Sequence, residues 1–429
     1  SSDLLDGPVG TAAWKDAGGW VHLKAAAGKR PGFLNQVGFS NTRGIILDGI
    51  DLCGRFNPNA TSGSTKTAVG QACLKIGGFR SNEGEGVTIL HNCRVGRYVK
   101  TLNAIVGEYI LGVWQDGTQE QLVVDTCAFA GNFCDLKIPG RRAKIYNSDF
   151  SKGSEDHCKT YPQTKSGYYA LYHYDKCTIR DQIVSLTTAS YHSDLFQTAT
   201  NKAGSPVLDN CLGTIMLMTD CWDIRDHKYG GSGGGATQGF QIANPAGHND
   251  HLFCVRRTGI MVTSPNGFSA VSGGASKCSY LDRVTLGRAG ITPSLFDGDL
   301  GSKDWSPGLN QKVQPQRSGV AFRVNDCLIG SKGSTNGVAW VAYSNTAIVD
   351  YTVAKRAPIP EDVFLGPSFE RGTAATANNI ANKFGYQVNN ASQATFIAWI
   401  ITNLTPKSGY NNQGAPPPNP ANYSAPALG

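Results

Sequence analysis

The chain has 429 residues, of which 52 are glycine, and only 17% of its residues are charged. Its net charge of +7 is spread along the chain in Lys/Arg runs of at most two residues, without zinc-finger or helix-turn-helix spacing, so nucleic acid is not an expected partner. This mild positive excess favours acidic partners such as uronate polymers. No stretch of about 20 apolar residues occurs, and the sequence predicts no membrane-spanning helix.

Residues 1–20 precede the first strand pattern and are expected to form a small N-terminal cap. An open solenoid end exposes strand edges and core residues, which a cap would cover. The sequence shows no signal peptide at Ser1, which fits a processed end, an omitted leader or an omitted N-terminal domain.

A six-residue pattern recurs along residues 47–353: an apolar residue, any two residues, a marker that is mostly small or polar, any residue, and a second apolar residue. The shortest spacing between markers, 21 residues, fits one bare solenoid coil, and longer spacings leave room for external loops. Alternating apolar residues around a turn-forming residue indicate a strand, a sharp turn and a strand. The markers are Ile50, Cys93, Cys127, Ser148, Gln182, Cys221, Thr258, Val284, Cys327 and Tyr351.

Stacked copies would place their apolar residues in two inward-facing ladders, with about 4.8 Å between coils. The first ladder is expected to contain Leu47, Leu90, Val124, Ile145 and Ile179. The second is expected to contain Leu52, Val95, Phe129, Phe150 and Val184.

This repeat resembles that of right-handed parallel β-helices, the fold of pectate lyases, alginate lyases, many phage tailspikes and numerous bacterial surface proteins. The resemblance implies an all-β chain with a single-stranded parallel β-helix over residues 21–355. A β-sandwich is the alternative, but sandwiches lack a repeated column of one residue type.

The sequence contains 12 cysteines, several of which share the marker position. One interpretation is a ladder of buried free thiols, because a thiol packs like a small apolar group. The alternative is disulfide formation, since neighbouring coils are close enough for such a bond. The candidate pairs are Cys93–Cys127, Cys53–Cys73, Cys134–Cys158 and Cys211–Cys221.

A second strand pattern between the markers predicts two columns on the outer surface. If the apolar residue of each copy faces inward, the next residue faces outward, because strand side chains alternate. The predicted outer column is Lys75, Lys137, Lys159, Gln197 and Gln241. A neighbouring column contains Cys134, Asp156, Asp194 and Gln238, with His157 nearby.

These columns suggest a groove for carbohydrate. We expect Lys75 to neutralise uronate carboxylates, Gln197 and Gln241 to hydrogen-bond hydroxyls, and Tyr172 to stack on a sugar ring. The alternative is that the polar column only solvates the outer face of a solenoid.

The same region could carry catalysis. In a lyase, Lys137, Lys159 or His157 would abstract the proton beside a carboxylate, with acidic partners. In a hydrolase, Asp156 and Asp194 would be the required pair of carboxylates.

Family signatures give little support to catalysis. The segment Gly153–Lys159 is similar to the Glu-x-x-Arg strand of alginate-lyase-type β-helices, with Lys in place of Arg. The polygalacturonase set of paired Asp, Gly-His-Gly and Arg-x-Lys is absent. Arg356 and Pro358 begin a motif like the pectate-lyase Arg-x-Pro-x-x-Arg strand, but acidic residues follow.

The residues after the repeat predict three further features. Asp297, Asp299 and Asp304 are spaced to hold a Ca²⁺ ion, with a solvated turn as the alternative, and no other cofactor is expected. Residues 356–408 are expected to form a helical cap, with two helices that are split near residues 385–387. Residues 409–429 are expected to form a Pro-rich extended tail, as a linker or a strapped-down arm.

Two functional hypotheses follow. The favoured one is a non-catalytic β-helix of a tailspike, decoration or adhesin type, extracellular or displayed on a cell or virion surface. It would present loops and bind a polysaccharide, a cell-surface glycan or partner subunits, with a homotrimer as one expected assembly. The alternative is a lyase that depolymerises an acidic polysaccharide by β-elimination. Whether the protein is an enzyme stays open.

Overall fold

The computed structural model describes residues 20–33, 36–39, 44–53, 72–76, 86–96, 111–115, 121–132, 134–138, 142–151, 153, 156–160, 168–180, 193–199, 211–225, 237–243, 252–262, 266–271, 279–288, 308–310, 322–329, 341–348, 363–365 and 392–427. Strands in this part of the chain form three parallel sheets of 11, 11 and 9 strands. Of the predicted cap, residues 1–20, residues 1–19 lie outside it and Trp20 begins the first strand.

Sheet A contains β1 (Trp20–Lys24), β4 (Gly44–Asp48), β7 (Val87–His91), β10 (Gln121–Asp125), β13 (Arg142–Tyr146), β16 (Tyr168–Asp175), β19 (Cys211–Thr219), β22 (Leu252–Arg256), β25 (Ser279–Asp282), β28 (Phe322–Asn325) and β30 (Val341–Ser344). Sheet B contains β2 (Gly32–Phe33), β5 (Asp51–Leu52), β8 (Arg94–Gly96), β11 (Ala128–Ala130), β14 (Asp149–Ser151), β17 (Thr178–Arg180), β20 (Trp222–Ile224), β23 (Gly259–Val262), β26 (Thr285–Arg288), β29 (Leu328–Ile329) and β31 (Ala347–Ile348). Sheet C contains β3 (Val37–Phe39), β6 (Ala72–Ile76), β9 (Leu111–Gln115), β12 (Cys134–Lys137), β15 (Cys158–Thr160), β18 (Ser193–Ala199), β21 (Thr237–Ala243), β24 (Asn266–Val271) and β27 (Gly308–Asn310).

The chain passes through sheets A, B and C in that order, and each strand pairs with its equivalent in the next coil. Coil 1 is β1–β3, coil 2 is β4–β6, and this numbering continues to coil 9, which is β25–β27. Coils 10 and 11 are represented by β28–β29 and β30–β31. The protein is therefore the right-handed parallel β-helix that its repeat predicts.

A tight turn between sheets A and B explains the sequence repeat. The residue before each marker has a positive φ, for example Asn92 at 50° and Asn147 at 48°. The side chain of a polar marker then forms hydrogen bonds to backbone groups in its own coil and in the preceding coil. The Cys127 Sγ donates to the Asp125 carbonyl at 3.3 Å and accepts from the Cys93 amide at 3.4 Å. A thiol or hydroxyl suits the marker position because it can both donate and accept.

The structure corrects two of the ten predicted markers. The turns of coils 6 and 11 place Cys177 and Thr346 in the marker column, whereas the predicted Gln182 and Tyr351 lie outside the described residues. As a result, Ile179 belongs to the second ladder, where it pairs with Phe150, and Tyr174 takes its place in the first. Val184, assigned to the second ladder, lies outside the described residues.

The two ladders form a core that runs through all coils. Leu47, Leu90 and Val124 are fully buried in the first, and Leu52 and Val95 in the second. Leu136, Phe196 and their equivalents in sheet C close the core from the third side.

The cysteines with described side chains are free thiols, so the proposed pairs Cys93–Cys127, Cys53–Cys73 and Cys134–Cys158 are not disulfides. Cys221 is also a free thiol, so the fourth proposed pair, Cys211–Cys221, is not a disulfide either. Burial raises the pKa of the Cys158 and Cys327 thiols to about 12, which disfavours the reactive thiolate at neutral pH.

The C-terminal residues cover the outer face of sheet B. Helix α1 (Gln393–Leu404) is capped by Ser392, whose Oγ accepts from the Thr395 amide at 3.1 Å. Its apolar side packs on Trp222, Ile224 and Met261 of coils 7 and 8. Short 3₁₀ turns at Ser408–Tyr410 and Pro420–Asn422 follow, while the first predicted helix, before residue 385, lies outside the described residues.

Candidate functional site

The outer face of sheet C carries a continuous polar column that includes one aromatic residue. Parallel pairing joins Lys75 to Trp114, Trp114 to Lys137, and Lys137 to Lys159. Gln197 follows Lys159 in coil 6, and all five side chains are partly exposed. The predicted alignment of the lysines and Gln197 is therefore correct in register.

Trp114 lies between two of these lysines. The Lys75 Nζ is 4.2 Å from the indole centroid, and the Lys137 Nζ is 5.1 Å from it. Both distances are within the range of a cation–π contact. The indole therefore holds two ammonium groups beside one ring, on lysines whose backbone positions are two coil spacings, about 9.6 Å, apart.

Lys159 continues the column but is engaged in an ion pair. Its Nζ is 3.1 Å from the Asp156 Oδ2. The Asp156 Oδ1 accepts from the Asp194 backbone amide at 2.9 Å, which ties coil 5 to coil 6. Lys159 would have to leave this ion pair before it could act as a base on a bound ligand.

The predicted acidic column is not open to solvent. Asp156 is 3% exposed and Asp194 is 0% exposed. The hydrolase interpretation needs two carboxylates that both reach a bound sugar, which this burial opposes.

His157 lies inside the solenoid rather than beside the lysines. Its ring is 4.3 Å from the Phe150 ring and 5.6 Å from the Tyr174 ring, and it is 3% exposed. Its Nδ1 lies 3.1 Å from the Asp135 Oδ2. At the corner between sheets B and C two consecutive residues face inward, so simple alternation misplaces His157.

Tyr172 also lies in the core, contrary to its expected contact with sugar. It is 0% exposed, packs against Phe196 at 5.4 Å and donates from its hydroxyl to the Ile138 carbonyl at 3.2 Å. A ring enclosed in this way has no free face for stacking.

The remaining predicted site residues cannot be placed in a site. The backbone of Gln241 pairs with that of Gln197, as expected, but its side chain lies outside the described residues. Asp297, Asp299 and Asp304 lie outside them entirely. Among the side chains that are described, no group of three or more His, Cys, Asp or Glu is arranged to hold a metal ion.

A polar cluster that the sequence did not suggest lies in the interior. Asp223 and Arg225 are buried in coil 7, with the Arg225 Nε 2.6 Å from the Asp223 Oδ1. Burial raises the pKa of the Asp223 carboxyl above its ordinary value. Interactions with Arg225 and, to a smaller extent, His157 lower this pKa but do not cancel the effect of burial. This cluster is enclosed by the core and offers no surface to a large ligand.

Trp114 is the residue of the outer face that sequence reasoning missed. Val113 and Trp114 align with Leu136 and Lys137. The sequence signal that could have found Trp114 is the pair Val113–Trp114, an apolar residue followed by an aromatic one. The pair stands between the markers of coils 3 and 4, where the second strand pattern is expected.

Comparisons with known proteins add no relative. No family model matches the chain, and neither the curated proteins nor the solved structures provide a match. The fold and the outer column thus define a right-handed parallel β-helix with a basic, Trp-containing strip on sheet C. The described helical segments include none with the length and hydrophobicity needed to cross a membrane.

Proposed function

We propose that the protein binds an extended acidic polysaccharide along the outer face of sheet C. The observation that supports this most is the position of Trp114 between the ammonium groups of Lys75 and Lys137. Fixed positive charges on an elongated strip favour an elongated polyanion.

The dimensions of the strip fit a chain-like ligand. The column from Lys75 to Gln197 crosses five coils, and four coil spacings of about 4.8 Å give a length of about 19 Å. Gln197 adds an amide whose nitrogen can donate to hydroxyl groups, whereas its Oε1 is buried. A ligand that lies parallel to the solenoid axis would contact all five side chains.

Binding without cleavage is the better-supported form of this proposal. Lys159 is paired with Asp156, and His157 is enclosed in the core. β-Elimination would require a base that reaches the ligand, and neither group meets this need. The ammonium of the third candidate, Lys137, lies against the Trp114 ring, 5.1 Å from its centroid. Display on a cell or virion surface, and assembly as a homotrimer, belong to the same proposal and rest on the fold resemblance alone.

Affinity measurements with alginate, polygalacturonate and neutral dextran would test the proposal. We expect binding to the two uronate polymers that weakens with added salt, and no binding to dextran. Lys137→Gln should weaken binding at least fivefold. Lys144→Gln is the matched control, because it removes the same charge from the outer face of sheet A.

Two results would reject the proposal. One is equal affinity for dextran and the uronates, and the other is an equal effect of the two Lys→Gln substitutions. An increase in ultraviolet absorbance from unsaturated sugars, lost in Lys159→Gln, would instead establish the lyase.

A further inference from the structure

The C-terminal residues contact coils that are far apart in the solenoid. The strap, defined as residues 411–427, runs along the outer face of sheet B from coil 11 towards coil 3. At its start the Gln413 Nε2 donates to the Asn345 carbonyl of coil 11 at 3.0 Å. The Gly414 amide then donates to the Asp326 carbonyl of coil 10 at 2.7 Å.

The same end of the strap is also fixed to coil 9. The Ala415 amide donates to the Thr285 Oγ1 at 2.9 Å, and an Arg283 NH2 group donates to the Asn411 carbonyl at 3.0 Å. Gly414 is buried with φ +70°, and a Cβ there would lie 2.7 Å from both Leu328 Cδ1 and Thr285 Oγ1. A side chain at position 414 would therefore lift the strap from coils 9 and 10.

The far end of the strap reaches the first half of the solenoid. The Tyr423 hydroxyl donates to the Asp220 carbonyl of coil 7 at 2.6 Å. Gln393 of α1 then links the strap to coil 6: its Oε1 accepts from the Ala425 amide at 3.0 Å, and its Nε2 donates to Thr178 at 2.8 Å. An Arg94 NH1 group in coil 3 donates to the Ala427 carbonyl at 3.3 Å.

From these contacts we infer that the strap couples the stabilities of non-neighbouring coils. In a simple solenoid each coil contacts only its neighbours, so the effect of a local perturbation fades within a few coils. A segment bonded to coils 3, 6, 7, 9, 10 and 11 adds direct links between distant parts. The link to coil 6 passes through Gln393 of α1. Coils 3–6, which carry most of the basic strip on sheet C, are thereby stabilised by contacts made at the opposite end.

Native-state hydrogen exchange with two glycine variants tests this coupling. Gly414→Ala displaces the strap at coils 9 and 10. We expect at least tenfold faster exchange of the Asp220 and Lys176 amides, which lie in the turns of coils 7 and 6. Gly409→Ala is the matched control, since no atom lies within 4 Å of the added Cβ, and it should leave these rates unchanged.

Acceleration confined to residues 279–348 in Gly414→Ala would overturn the inference, because it is the outcome of neighbour contacts alone. If Gly414→Ala does not fold, Tyr423→Phe tests the coupling from the other end. It removes only the hydroxyl bonded to Asp220, and it should accelerate exchange of the Leu328 amide in coil 10. An unchanged rate at Leu328 would likewise overturn the inference.

Discussion

Asp223 and Arg225 form an ion pair inside the β-helix, where the residues that pair with Asp223 in the adjoining coils are aliphatic. Asp223 lies in the second ladder between Ile179 and Ile260. Two hydrogen bonds of 2.6 and 3.0 Å join its carboxylate to Arg225. Both residues are at most 1% exposed, and Arg225 provides most of the compensation for the buried carboxylate.

The first prediction concerns this pair. Arg225→Met should cost about 3–5 kcal/mol, because it leaves a buried carboxylate without its cation. The double variant Asp223→Leu/Arg225→Met should recover most of that loss. Denaturant unfolding of both variants measures the difference.

Arg257→Met provides a control at the surface. Arg257 pairs with Asp220 at 2.7 Å, but the two side chains are 35% and 27% exposed. Its loss should cost about 1 kcal/mol or less. A similar cost for Arg225→Met and Arg257→Met would contradict the role assigned to the interior pair.

The second prediction is the effect of pH on the same site. Burial raises the pKa of Asp223 in the folded protein above its ordinary value of 3.8, despite Arg225. A raised folded pKa gives a stabilising contribution that is complete below the unfolded pKa and is lost as pH rises through the folded pKa. The stability of the wild type relative to the double variant should therefore rise as pH falls towards 3.8. A decrease in this relative stability as pH falls towards 3.8 would contradict the prediction.

The third prediction concerns the marker column. Cys127→Ser should cost less than about 1 kcal/mol, since a hydroxyl can replace the thiol as donor and acceptor, as Ser148 does in the next coil. Cys127→Ala should cost about 1–3 kcal/mol more, because the buried Cys93 amide loses its acceptor. Thermal unfolding of the two variants gives the order, and equal stability would show that the marker is selected only for its size.

The general fold was predictable because the repeat is local. A–B turns need a left-handed residue, and except at Ile50 and Val284 a small donor–acceptor side chain follows it. Asn92 with Cys93 shows both within two positions. This local pattern can be recognised in the sequence even where long loops separate the coils.

The errors arose where that signal was weak. In coil 6 Lys176 takes the left-handed conformation with φ 53°, and the ladder residue before it is Tyr174. The repeat therefore predicts the turn at Gln182, several residues after its observed position at Cys177. The expected stacking of Tyr172 rests on its residue type alone, whereas its distance from the observed turn places its ring in the core. Asp223 was missed because polarity alone does not reveal an inward position.

The fourth prediction uses this unusual turn. A β-branched residue is strained at positive φ, whereas glycine is not, so Lys176→Gly should be at least 1 kcal/mol more stable than Lys176→Val. Lys144 in β13 is the matched position. Its backbone is extended, so Lys144→Val should be more stable than Lys144→Gly. Urea unfolding of the four variants measures both differences, and the same order at both positions would contradict the assigned backbone conformation.

The fifth prediction separates the charge of the basic strip from its organisation. Trp114→Leu removes no charge, but it removes the ring that lies beside both Lys75 and Lys137. If the indole fixes the spacing of the ammonium groups, the variant should bind polygalacturonate about threefold to tenfold more weakly, because the lysines must then be ordered on binding. The salt dependence of binding should remain, since the number of charges is unchanged. Affinity and its salt dependence measured together distinguish these effects: unchanged affinity would mean that Trp114 does not organise the strip, whereas lost salt dependence would mean that the lysines are not the ligand contacts.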